Sequence, residues 1–154
     1  MRSKKISKHE PLKLLLFAAT LRSDSLNTTL AKLAEKILIK HNCEVDFANM
    51  HEFDAPSFNQ DKEDNFPNGI SAFRNRILSN DAFIIASPEY NGSMPGCLKN
   101  TIDWASRFRP QPFNEKHALI MSASPSMAGG ILVLHFCFYT FQVCLRNRAG
   151  AALI

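Results

Sequence analysis

The sequence lacks the short motifs that most directly announce a chemistry. There is no GxxxxGK[ST] phosphate loop and no GxGxxG dinucleotide fingerprint. The four cysteines, Cys43, Cys97, Cys137 and Cys144, form no CxxC pair and stand at no zinc spacing with histidine. His117 and His135 have no ligand partners at useful spacing, so no metal is expected. No apolar run reaches the length of a membrane span. No internal repeat or low-complexity segment appears. A domain of this size needs no disulfides, and reduced thiols in the cytoplasm are the default expectation.

What is present is ordinary globular material. The chain has 154 residues, 45% of them apolar and 21% charged, enough for one domain with a real core. The formal charge is +4, and Arg2, Lys4, Lys5 and Lys8 against Glu10 account for +3 of it. Residues 1–10 therefore read as a basic, disordered tail, and 11–154 as a single domain. A basic excess confined to a terminal tail argues for neither nucleic acid nor membrane. The same tail followed by LKLLLFAA has some features of a secretory leader, but Lys13 interrupts the run, which suits a buried strand better.

The continuous apolar run Leu12–Ala19 predicts a strand covered on both faces. Residues 28–40 place Leu30, Leu33, Ala34, Ile37 and Leu38 at helical spacing. A second strand is predicted at 43–48 and a long, aperiodic excursion at 49–69, of the kind that forms lids or subunit contacts. A helix marked by Ile70, Phe73, Ile77 and Leu78 follows, then a strand at 81–87. A third helix begins at Pro95, and a fourth strand spans 117–123. This alternation predicts an α/β fold, a doubly wound parallel sheet in three αβα layers. Residues 131–154 are atypical. ILVLHFCFYTFQVCL is apolar all round, consistent with a fully buried helix or a strand, and Ala151–Ile154 would begin an incomplete fifth strand.

Three loops are predicted on one sheet edge, where open α/β sheets bind ligands. The first offers Thr20, Ser23, Ser25 and Asn27 as donors with Arg22 as a cation, an inventory that suits a phosphate monoester. Taken alone, these residues equally suit ordinary helix capping. The second offers Tyr90 as a platform, Asn91 and Ser93 as polar groups, and Gly92 for close backbone approach.

The stretch SPEYNGSMPGCLKNTIDWASR, residues 87–107, closely resembles the PEYN loop and following helix of the NAD(P)H-dependent FMN reductases. These are the flavodoxin-like group that includes chromate, quinone and azo-compound reductases. ATLRSDSLN is similar to that family's phosphate loop, and ALIMSASPSMAGG resembles its third flavin-side loop. The resemblance implies a flavodoxin-like fold with FMN held by Thr20, Arg22, Ser25, Leu26 and Asn27 at the phosphate. Pro88, Glu89, Tyr90, Asn91, Gly92 and Ser93 would line the isoalloxazine, and Ser124 would close the pocket. It implies hydride transfer from NADPH or NADH to flavin N5, then electrons passed to a quinone, metal oxyanion, azo compound or free flavin. The cofactor carries this chemistry, so no side-chain acid, base or nucleophile is nominated. The resemblance also implies a homodimer or homotetramer, with Trp104 and the third helix as interface residues. Two further readings remain: an FMN-binding electron carrier without nicotinamide turnover, and an inactive fragment. The latter is motivated by Ala19 and Asp24 at positions where the family prefers glycine. The family also continues for several tens of residues, so a truncated or frame-altered C-terminus is expected.

Overall fold

A computed structural model describes residues 10–144 and 151–153. The expected basic tail, apart from Glu10, lies outside the described residues. Five strands, β1 (Lys13–Ala18), β2 (Glu44–Asn49), β3 (Ala82–Ala86), β4 (His117–Met121) and β5 (Ala151–Leu153), form one parallel sheet in the order β2-β1-β3-β4-β5. This is the flavodoxin-like doubly wound order predicted from the alternation. Four helices connect the strands: α1 (Leu26–Lys40), α2 (Asn68–Ser79), α3 (Gly96–Ala105) and α4 (Ile131–Cys144). β5 is only three residues long.

The period-2 alternation of a strand divides the core between the two sheet faces. Leu15, Phe17, Phe83, Ile85 and Ile120 turn toward α2, α3 and α4. Leu14, Leu16, Ile84 and Met121 turn toward α1. The first face is the denser. Phe17, Phe53 and Phe73 meet edge-on with ring centroids 4.9–5.9 Å apart, the arrangement aromatic quadrupoles favour. Phe83, Phe113 and Phe141 form a second triangle at 5.3–6.1 Å.

The structure corrects two expectations. The apolar run after Gly130 is a helix, but not a fully buried one. Val133, Cys137 and Phe141, spaced i, i+4, i+8, are completely buried, whereas Ile131, Leu132, Phe136 and Tyr139 are 45–64% exposed. A helix packed against a single sheet face buries one stripe whatever residues cover the rest. Trp104 is the second correction. It is 1% exposed, its indole N–H donates to Pro56 O at 2.8 Å, and its ring meets Phe58 edge-on. A buried indole needs an acceptor, and Trp104 finds it within its own chain rather than at an interface.

The same contact shows that the 49–69 excursion is fastened down. It contains two short 3-10 turns, Met50–Phe53 and Gln60–Lys62. The Asn100 side chain holds it at three points, donating to Ala55 O and Pro56 O and accepting from the Phe58 N–H.

Candidate functional site

The C-terminal ends of β1, β3 and β4 are neighbours in the sheet, so the loops that leave them share one edge. The first loop leaves β1 through Ala19, whose N–H donates to Ala86 O at 2.8 Å. Ala19 is fully buried and does not have a positive φ, so its Cβ is accommodated where the family prefers glycine. Thr20 is 6% exposed. Its Oγ1 accepts the Arg22 N–H at 3.1 Å and lies 3.4 Å from the Tyr90 hydroxyl. Ser25 is the N-cap of α1, its side chain accepting from the Asn27 N–H. Leu26 opens the helix and is half exposed. The N–H groups of Ser23, Asp24, Ser25 and Leu26 meet no acceptor among the described residues. Free N–H groups at the positive end of a helix dipole form an anion site. The Asp24 side chain is exposed and has no bonded partner among the described residues.

The second loop is a tight hairpin. The Tyr90 and Ser93 backbones exchange hydrogen bonds of 3.0 and 3.1 Å. Asn91 and Gly92 sit between them at φ 52° and 72°. Two consecutive left-handed residues, Asn then Gly, are what a type I′ turn requires. Pro88 and Ser87 are buried beneath the turn, and the Tyr90 ring is 47% exposed at its tip. Glu89 does not enter the crevice as a free carboxylate. Its Oε2 accepts the N–H groups of Leu132 and Val133 at 3.1 and 3.3 Å, capping α4.

The third loop is latched to the first. Asn27, 2% exposed, donates through Nδ2 to Ala123 O at 3.0 Å and accepts the Ala123 N–H at 2.9 Å. Both ends of its amide are therefore engaged. Ser124 and Ser126 are joined by their hydroxyls at 2.9 Å, and Ser124 Oγ also accepts the Ser126 N–H. Ser122 Oγ is buried with no hydrogen-bond partner among the described residues. A side chain on Gly130, at φ 80°, would collide with it.

The structure thus brings Thr20 to Tyr90 and Asn27 to the third loop, and turns Glu89 toward α4. Two clefts flank the first loop. One of about 320 Å³ lies between Leu21, Phe53, Asp54, Ser57, Cys97 and Asn100. Burial pushes the half-buried Cys97 thiol up from its ordinary pKa, and its Sγ lies 3.9 Å from Ala19 O. The other, about 220 Å³, adds Thr28, Asn49 and His51 to Arg22 and Ser23. Sequence reasoning missed these three residues, although the end of β2, the neighbour of β1, was a place to look. No group of His, Cys, Asp and Glu among the described residues is arranged to hold a metal ion. No described helix is long and apolar enough to cross a membrane.

Known proteins share this arrangement. The chain is 40% identical over 122 residues to an NAD(P)H-dependent FMN reductase of Pseudomonas aeruginosa, covering 78% of this chain and 64% of that one. It is 35% identical over 124 residues to a quinone reductase of Escherichia coli K12, covering 79% and 64%. The solved structure of FerB, a flavoenzyme NAD(P)H:(acceptor) oxidoreductase from Paracoccus denitrificans, superposes with a TM-score of 0.77 at 29% identity. It covers 93% of this chain and 75% of FerB. The chain therefore spans somewhat under two thirds of the length of these two curated relatives. Residues 12–145 match the family described as NADPH-dependent FMN reductase, with the loops that carry the match set side by side on one sheet edge, and the chain belongs to that family.

Proposed function

We propose that this protein binds FMN across the three loops and works as an NAD(P)H-dependent reductase of quinones or related small acceptors. The observation that carries the reading is the first loop. Four N–H groups without acceptors, from Ser23 to Leu26, stand 3.4 Å by way of Thr20 from the exposed ring of Tyr90. That donor set fits a phosphate monoester, and the adjoining aromatic hairpin fits a flat ring system. The relatives' names, FMN reductase and quinone reductase, support the same chemistry.

In this reading Thr20, Arg22, Ser25 and Leu26 hold the phosphate. Asn27 holds the third loop, with Ser124, at its working distance. Pro88, Tyr90, Asn91, Gly92 and Ser93 present backbone and ring to the isoalloxazine, while Glu89 fixes α4 behind them. When bound, FMN supplies a two-electron store that NADPH or NADH fills and an acceptor empties. Residues 11–154 work as one unit. Self-association into a dimer or tetramer belongs to the reading, supported by the exposed Leu132, Phe136 and Tyr139 of α4. The free thiols of Cys43, Cys97 and Cys137 suit a cytoplasmic setting.

The test is titration of purified protein with FMN, followed by absorbance, and then NADPH oxidation with benzoquinone as acceptor. Yellow protein that turns over supports the reading. Yellow protein that stays idle points to an electron carrier, and protein that stays colourless under excess FMN defeats both. Arg22→Ala should weaken FMN roughly tenfold, as expected for one lost charge-assisted contact.

A further inference from the structure

On the β2 side of the first loop, away from the Tyr90 hairpin, lies the cavity of about 220 Å³ floored by Ala18, Phe47 and Ala48. A whole small-molecule site takes roughly 300–1,000 Å³, so this cavity suits one group of a larger ligand. Arg22 and Ser23 line it from the loop, Thr28 from α1, and Asn49 and His51 from the end of β2. The Arg22 guanidinium, the Ser23 and Thr28 hydroxyls, the Asn49 amide nitrogen and the His51 ring have no bonded partner among the described residues. The turn that carries His51 is itself fixed. Its N–H donates to Asn49 Oδ1 at 3.1 Å, and the Asn49 N–H donates to Glu52 Oε1 at 2.7 Å.

No carboxylate lines the cavity. Arg22 and this lack exclude a cation. The donors exceed what the two oxygens of a carboxylate can accept, whereas a phosphoryl group offers three oxygens, and arginine matches their geometry. Imidazole can donate an N–H to such a group whether neutral or charged. We propose that this cavity is a phosphoryl subsite in which His51 and Thr28 hold from the β2 side what Arg22 and Ser23 hold from the loop. The phosphoryl group belongs either to the flavin or to the nicotinamide dinucleotide. Only that choice of donor molecule rests on the reading above; the subsite itself rests on the cavity.

The experiment measures dissociation constants of the full chain for FMN, riboflavin, NADPH and NADH by calorimetry at fixed ionic strength. It compares the wild type with His51→Ala, His51→Gln, Thr28→Val and Arg22→Ala, each checked for an unchanged melting temperature. The proposal expects His51→Ala and Thr28→Val to weaken phosphorylated ligands several-fold and to leave riboflavin unchanged. His51→Gln, which retains an N–H donor, should recover part of the loss. Loss confined to FMN assigns the flavin phosphate. Loss in NADPH but not NADH assigns the 2′-phosphate, and equal loss in both assigns the diphosphate. Unchanged constants in His51→Ala and Thr28→Val, with FMN still weakened by Arg22→Ala, overturn the subsite and leave the proposed function standing. If Arg22→Ala also changes nothing, both fail.

Discussion

Asn27 and Ala123 exchange two hydrogen bonds, of 3.0 and 2.9 Å, across 96 positions of sequence. One buried amide in the first turn of α1 thereby sets the position of the loop after β4. Asn27→Ala leaves the Ala123 N–H and C=O without these partners, and each net hydrogen bond contributes about 0.5–1.5 kcal/mol. The expected loss of unfolding free energy is about 1–3 kcal/mol by urea denaturation. Asn27→Asp retains the acceptor only and should fall between. A wild-type midpoint for Asn27→Ala would show that the latch carries no stability.

Glu89 caps α4 from the far side of the site. Glu89→Ala should destabilise the protein by about 1–2 kcal/mol through the lost cap and dipole contact. Glu89→Gln, which still accepts a hydrogen bond, should lose less. Hydrogen exchange should locate the loss at the Leu132 and Val133 amides. Protection unchanged there in Glu89→Ala would remove the cap from the account.

Gly92 sits at φ 72°, where a Cβ is strained whatever space surrounds it. Gly92→Ala should cost about 1–2 kcal/mol, read as a lower melting temperature. Asn91→Gly, which removes a Cβ at φ 52°, should be close to neutral. Equal stability of the Gly92→Ala and wild-type proteins would mean that the turn is not type I′ in solution.

Cys137 is fully buried on α4, and burial pushes its thiol up to about 12, from 9.0. The unfolded thiol releases its proton first. The contribution of the protonated thiol to stability is therefore complete below pH 9 and is lost as the pH rises from 9 toward 12. Urea midpoints measured from pH 8 to about pH 10.5 should fall more steeply in the wild type than in Cys137→Ala. Parallel curves would contradict the burial of this thiol. In the native protein at neutral pH, alkylating reagents should spare Cys137, because the thiolate is the nucleophile.

Much of the architecture was legible because buried parallel strands are written as apolar runs. LKLLLFAA and AFIIAS read as strands directly, and the Leu30–Leu38 pattern marked α1. The α4 run defeated pattern reading because its exposed positions are apolar too, so Val133, Cys137 and Phe141 do not stand out from Leu132 and Phe136. The loops of the candidate site were located correctly on the sheet edge, but the partners of their side chains were not. Glu89 binds amides 43 and 44 positions away, and Trp104 binds a carbonyl 48 positions away. Residue type announces that a buried indole or carboxylate needs a partner; only the tertiary arrangement says which.

The strand order has a consequence for how the site comes into being. β1 pairs with β2 on one side and β3 on the other, so everything from the first loop through the Tyr90 hairpin can assemble within residues 13–93. The third loop joins only when β4 zips onto β3, from Ala82↔His117 to Ala86↔Met121, and Asn27 takes hold of Ala123. A ligand that touches all three loops binds only the zipped chain and so adds its own binding free energy to the docking of β4. Saturating flavin should then slow exchange of the β4 amides more than those of β2, and the last strand to arrive would be the one that the cofactor guards.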